Sequence, residues 1–520
     1  MDTPSGAVPY RQAVEALWGA ARIWDYLRYD AAGDLWINDL RVEDAALAFG
    51  TPLEIVDTTI VERRCAEWMA LSRRVAAEVG YPGRLGYLYA AKANMASEIT
   101  HAAYRSGWGA ETSTVQDLDH LLWLDRQGLV PVRPRVVCNG FKLPPAVVRG
   151  RRQSAAPVST VALPVDRVSP AVRGATYAER ILEMAADGWE ITPILDQGEL
   201  GTFTAAGAPP MAVGLRLKFG RVTRRAALEG LVSRFGFEAA DLPAAADAVA
   251  AAGHLRLTTL HAMVGAAETI PVEDFVASLV LAGEVWAQLR QRHPSLTELN
   301  MGGGVPPLSE PYDHRGFLAG LFGGLAAVSA AAGVPPPDLT FELGSLVAAE
   351  SGFHVFKVLQ ERPSPAESPG APAAWAMVDG GLMAAIPDML LIGKPFRILA
   401  ARGADAPWRT VRLGDLSCDS DGRYPPAAFG PEAGVPLPDG VAGQHVVIAG
   451  VGAYQEILAG VRGAHHCGLL EAVELIVERA GDGAVGARLV PRQTSRQAAR
   501  LLGYGPDVVP ALQAALAPPR

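Results

Sequence analysis

An amine, a carboxylate and three consecutive glycines stand out in this 520-residue chain as groups that could do chemistry together. Lys92 closes the apolar stretch Leu85-Gly86-Tyr87-Leu88-Tyr89-Ala90-Ala91. An amine at the mouth of an apolar strand costs free energy unless it is paired or used. Glu342 closes a similar run, Leu339-Thr340-Phe341, where a lone carboxylate needs a cation or a proton. Gly302-Gly303-Gly304 lets backbone N–H groups come close to an oxyanion, although such a triplet taken alone is more often a turn. Each feature has a bland counterpart: a strand-end lysine, a salt-bridged glutamate with a rim arginine such as Arg216 beside it, a glycine turn. The elements that position them decide between the readings.

From Leu85 onward, strand-like apolar runs at 85–92, 107–112, 134–139, 191–196, 211–218, 255–264, 296–301 and 339–343 alternate with helical stretches. The helical stretches include Thr114–Gln127, Tyr177–Ala186, Ala239–Ala252, Val272–Arg292 and Gly316–Ala332. Eight such units predict a closed (β/α)8 barrel, whose parallel strands read as continuous apolar runs. An open doubly wound sheet is the alternative, but no GxGxxG follows the first strand. Barrel active sites lie at the C-terminal ends of the strands. Lys92, Gly302–Gly304 and Glu342 all fall on that rim. A glycine loop after the seventh strand suits phosphate there. An amine, a phosphate cradle and an acid together suggest pyridoxal 5'-phosphate. Lys92 would hold its aldehyde as a Schiff base and Glu342 would keep its pyridine nitrogen protonated.

Residues 1–58 form an N-terminal segment with strands near 35 and 55, residues 59–345 the barrel, and residues 346–520 a mainly antiparallel β domain with a helical tail over Ser495–Leu516. The N-terminal segment is expected to join that β domain. Segments 143–175 and 362–373 read as loops. Lys and Arg number 46 against 55 Asp and Glu, a net charge of −9, which argues against a nucleic-acid footprint. The four cysteines show no metal or redox spacing, and the N-terminus shows no secretory signal. No unbroken run of 18 apolar residues argues for a membrane span. A cytoplasmic protein with reduced thiols is the expectation.

Several motifs in order resemble the barrel-fold pyridoxal-phosphate decarboxylases of ornithine, arginine and diaminopimelate. They are Tyr89-Ala90-Ala91-Lys92-Ala93-Asn94, Gly107-Trp108-Gly109-Ala110-Glu111-Thr112-Ser113 with Asp117-Leu118, Ser233-Arg234-Phe235-Gly236, Gly302-Gly303-Gly304 and Phe341-Glu342-Leu343-Gly344. Three further segments resemble the biosynthetic arginine decarboxylase branch: Gly33 through Pro52, Ser417-Cys418-Asp419-Ser420-Asp421-Gly422 and Val451-Gly452-Ala453-Tyr454-Gln455-Glu456-Ile457-Leu458. The resemblance covers roughly residues 20 to 470.

It implies that Cys418, reaching the site from a second subunit, protonates the product carbon, and that a homodimer shares its sites. It further implies that Asp419 and Asp421 receive a distal cation, that Tyr454 holds the cofactor phosphate, and that Glu111 and Arg216 support the pyridine nitrogen. The sequence departs from the pattern at three places. Met263 stands where the family has a ring-stacking histidine, Ala266 where it has a phosphate-binding serine, and Ser345 where it has an arginine. His261 shares a strand face with Met263 and is the candidate to take over part of that role. The reaction expected is decarboxylation of a basic, arginine-like amino acid, which would place the enzyme in polyamine biosynthesis. A racemase or other specialised enzyme on the same cofactor, or a non-catalytic regulatory homologue, are the alternatives.

Overall fold

In a computed structural model, the chain is described for residues 8–18, 25–130, 132–142, 175–205, 207–218, 233–265, 270–364, 370–460, 465–480, 483–502 and 504. Residues 143–174 of the excursion expected over 143–175, the centre of the 362–373 loop, Ala266 and the end of the tail helix lie outside the described residues. Two compact units form. Residues 64–306 and 312–344 make one, and residues 1–63, 307–311 and 345–520 the other.

The first unit is a closed barrel of eight parallel strands. They are β1 (Leu85–Ala90), β2 (Gly109–Thr112), β3 (Val136–Cys138), β4 (Ile191–Leu195), β5 (Met211–Leu217), β6 (Leu255–Ala262), β7 (Glu298–Asn300) and β8 (Asp338–Leu343). Each lies within two residues of the run read from the sequence. Closure comes from β8 pairing with β1, Leu339 opposite Leu85. All residues of β2, β3, β4 and β7 are buried, which is why these strands read as unbroken apolar runs. Lys92 sits just past β1, in a 3-10 turn over Ala91–Ala93, rather than on the strand itself.

Helices follow the strands. Thr114 and Thr176 each open theirs with a capping box, reciprocated by Asp117 and Glu179. Two helices, Ser97–Arg105 and Leu200–Thr204, were not legible in the sequence. The helix His314–Ala332 is long and apolar enough to cross a membrane by length and composition alone. Here it packs on Val272–Arg292: the Phe317 ring stacks 5.4 Å from Phe275, and a Cβ at Gly324 would stand 2.4 Å from Val280. Gly320 and Gly324 are therefore packing positions that let two helices approach closely.

The second unit holds a ten-stranded, mainly antiparallel sheet among the described residues. Leu53–Asp57 joins it, pairing antiparallel with Gly352–Val355 and parallel with Val473–Val477. The strand near residue 35 does not. It forms a separate three-stranded sheet from Leu27–Tyr29, Leu35–Ile37 and Leu40–Arg41, which packs into the same core as Ile55, Phe353 and Val447.

Candidate active site

The rim of the barrel is assembled from backbone close approaches before any charge is considered. After β1 the buried Tyr89 hydroxyl donates to the Asn94 carbonyl at 2.7 Å, fixing the turn that presents Lys92. Gly344, after β8, leaves room for that turn, since a Cβ there would lie 2.6 Å from the Ala93 Cβ. After β2, the Asp117 carboxylate accepts from the Ser113 and Thr114 N–H groups. After β3, Asn139 N–H donates to the Thr112 carbonyl at 2.9 Å. Gly140 meets the Ser113 carbonyl so closely that a Cβ would stand 1.5 Å from it. Only glycine fits there. After β7, Gly302 and Gly304 take φ values of 67° and 92°. The Gly302 carbonyl accepts from Glu342 N–H, and a Cβ at Gly303 would lie 2.4 Å from the Glu342 carbonyl.

On this frame two carboxylates face one amine. Lys92 Nζ stands 3.3 Å from Glu111 Oε2, with the lysine side chain 46% exposed and the glutamate fully buried. Asn139 Nδ2 bridges the pair of acids, donating to Glu111 Oε1 at 3.0 Å and to Glu342 Oε2 at 2.7 Å. Glu342 also accepts from Asn300 Nδ2 at 2.7 Å and from His261 Nε2 at 3.1 Å. With His261 donating through Nε2, its buried Nδ1 has no partner among the described residues, and neither does the Asn139 Oδ1.

The two acids are tuned apart. Burial pushes the Glu111 carboxyl above the ordinary range; Lys92 opposes that and the Glu342 charge adds to it. Burial acts the same way on Glu342, but His261, Lys92 and the Asn300 hydrogen bond outweigh it and hold the carboxyl down at about 2. Burial also lowers the His261 pKa, against the Glu342 charge that raises it. Glu342 thus stays an anion although buried, satisfied by three N–H donors.

Other expected residues are placed differently. Among the described residues no ion pair joins Arg216 to Glu342, although the Glu342 charge acts on its guanidinium. Its guanidinium lies 4.9 Å from the Phe235 ring centroid, and burial lowers its pKa. The Met263 thioether accepts from Gly303 N–H at 3.4 Å, and the Gly302 N–H goes to Asn300 Oδ1 at 2.9 Å. Cys418, Asp419, Asp421 and Tyr454 belong to the other unit. There Asp419 Oδ1 accepts from Asp421 N–H, so Asp-Ser-Asp-Gly is built as a turn. Tyr454 caps the helix Gln455–Ala459 with a φ of 68°.

Sequence reasoning missed Asn139 and Asn300. The one available signal was their position at strand ends, where an uncharged amide passes for a turn residue. It also missed Lys142, a fully buried lysine that donates to the Gly140 and Ile194 carbonyls, both at 2.7 Å, and to Glu199 Oε2 at 3.3 Å. This amine ties the Asn139 loop to β4. Lys142→Met strands the buried Glu199 carboxylate, so the unfolding free energy should fall by about 3 kcal/mol in a denaturant titration.

No family model matches the chain. Among curated proteins, a biosynthetic arginine decarboxylase of Thermosynechococcus vestitus is 23% identical over 353 residues, covering 64% of this chain and 50% of that protein. The chain thus spans about half the length of that curated relative. Among solved structures, the biosynthetic arginine decarboxylase of Campylobacter jejuni superposes with a TM-score of 0.74 at 16% identity, covering 96% of this chain and 93% of that one. A diaminopimelate decarboxylase of M. jannaschii in complex with L-lysine gives 0.66 at 17% identity, with 92% and 97% covered. A lysine/ornithine decarboxylase of Vibrio vulnificus gives 0.56 at 16% identity, with 81% and 93% covered. The chain has the fold of the barrel-fold amino acid decarboxylases. Its resemblance to that family extends to the biosynthetic arginine decarboxylases, in sequence as well as in shape.

Proposed function

We propose that the chain is a pyridoxal-phosphate-dependent decarboxylase of a basic, arginine-like amino acid. The observation that carries the reading is the presence on one barrel rim of an accessible amine, Lys92, held by Glu111, and of a second acid, Glu342, kept ionised. The curated relative, named for arginine, and the structural neighbours, named for arginine, diaminopimelate and lysine/ornithine, support the substrate class.

The residues present fit the cofactor at two of its ends. Lys92 offers the amine for the aldehyde, and Glu342 offers an anion to a protonated ring nitrogen. The partnerless His261 Nδ1 and Asn139 Oδ1 beside Glu342 leave polar capacity for a bound group. At the phosphate end, Gly302–Gly304 and Tyr454 are the candidates. Bound there, the pyridinium ring would draw off the electron pair left as carbon dioxide departs. The chain's own part is positioning and proton control. Glu111 holds Lys92 in place until substrate arrives. Asn139, Asn300 and His261 keep Glu342 charged. Met263 would flank the ring, and Arg216 would support its nitrogen. The Cys418 thiol, supplied by a second copy in a homodimer, would give a proton to the product carbon, and Asp419 and Asp421 would receive the distal cation.

Purified protein given cofactor should release carbon dioxide from one member of a panel of arginine, ornithine, lysine and diaminopimelate. No release from any of them, with cofactor bound, would overturn the proposal. Met263 in place of a histidine favours one other reading, a racemase. Deuterium entering the α-carbon from heavy water without loss of carbon dioxide would support that instead.

A more local expectation concerns Glu111. Glu111→Gln removes a buried carboxylate whose desolvation already opposes its charge, so stability should change little. It also releases Lys92 from its 3.3 Å partner. Turnover should fall about 10- to 100-fold, read from steady-state kinetics at saturating cofactor.

A further inference from the structure

Two of the four cysteines face each other in the β-rich unit. Cys418 lies in the turn between the strands Trp408–Gly414 and Arg423–Tyr424, and Cys467 in the 3-10 turn His466–Gly468. Their sulfurs are 3.8 Å apart and both residues are exposed. Their sequence neighbours also meet: His466 Nε2 stands 3.5 Å from Asp419 Oδ2. Cys467 adopts φ 58°, ψ 14°, a left-handed conformation uncommon for a side chain other than glycine, asparagine or aspartate. A strained residue held where it brings a thiol against another thiol is the kind of outlier from which function can be argued. The remaining two cysteines, Cys65 and Cys138, are buried.

We propose that Cys418 and Cys467 form a reversible disulfide, a thiol-modification site that reacts with small disulfide oxidants. A thiolate of the pair attacks one sulfur of the oxidant and expels its first thiolate. The second protein thiolate then attacks the resulting mixed disulfide and expels the other half. Two electrons pass from the protein sulfurs to the small disulfide, and the two thiol protons end on the two small thiols released. The sulfurs close from 3.8 Å to about 2.0 Å, which adjustment of two exposed turns can accommodate. The Cys467 contact raises the Cys418 pKa, so the reaction should quicken as pH rises toward the alkaline range. The consequence for catalysis rests on the proposed role of Cys418: a disulfide would consume the thiol that delivers the proton.

The test is made on the full-length reduced protein with oxidised glutathione, read by intact mass and by peptide mapping without reductant. The expected result is the loss of two hydrogens, a cross-linked peptide joining Cys418 to Cys467, free thiols at Cys65 and Cys138, and full reversal by dithiothreitol. Cys467→Ser should instead leave Cys418 carrying one glutathione and no cross-link. Stable glutathione on both residues of the native protein, a cross-link between copies, or no reaction at either thiol would overturn the inference. The readout is a mass and does not require turnover. A failed cross-link therefore leaves the proposed decarboxylation standing, and failed decarboxylation leaves the cross-link standing.

Discussion

Lys92→Ala should lower turnover roughly 10^4-fold, the upper end of what one positioned proton-transfer or nucleophilic group supplies. It should do so without unfolding the protein. Lys92 is 46% exposed, so little packing is lost with it. Its fully buried partner Glu111 loses the charge that opposes burial. The carboxyl already lies above the ordinary range, and losing Lys92 pushes it further up. Its Oε1 still accepts from Asn139 Nδ2. Circular dichroism and the denaturation midpoint should therefore stay close to those of the native chain while activity disappears. An unfolded variant would mean that Lys92 is a structural lysine and would return the site to its bland reading.

Glu342→Gln is the second large effect and should differ in kind. The native carboxylate accepts three N–H groups, one from Asn300 on Oε1 and those of Asn139 and His261 on Oε2. An amide has a single acceptor oxygen. Whichever way it turns, its own NH2 faces at least one of these donors, and a buried donor left unmet costs about 1–3 kcal/mol. Turnover should drop about 10^2- to 10^3-fold, because a fixed charge aimed at the reacting system is lost.

The pH dependence has a definite sign. The folded carboxyl is held at about 2, below its ordinary value of 4.5. Its contribution is therefore fully present above pH 4.5 and is lost as pH falls toward 2. The stability gap between native and variant protein should be widest above pH 4.5 and shrink below it. Chemical denaturation at a series of acidic pH values reads this directly.

The barrel was legible because each strand is covered on both faces and so reads as an apolar run between helices. Lys92 and Glu342 were legible because charged residues that end such runs are conspicuous. The amides that hold the acids were not. Asn139 and Asn300 acquire meaning only when β3, β7 and β8 are brought side by side, and nothing local marks an asparagine as a buried donor. Lys142 was hidden for the same reason, its carbonyl and carboxylate partners lying on two separate segments. In the β-rich unit the strands themselves could be read, but their partners could not. Leu53–Asp57 pairs with Gly352–Val355, some 300 residues away, and no short-range pattern encodes such a register. The placement of Leu35–Ile37 in a sheet of its own was missed for that reason. The Cys418 and Cys467 contact is likewise invisible in a sequence where the two are 49 positions apart.

Whether Lys92 is the amine that takes the cofactor aldehyde can be read by trapping. Full-length protein incubated with pyridoxal phosphate is treated with borohydride, digested and mapped by mass spectrometry. One phosphopyridoxyl adduct is expected, on the peptide containing Lys92, and it should be absent from Lys92→Ala. An adduct confined to other lysines, or none at saturating cofactor, would contradict that assignment.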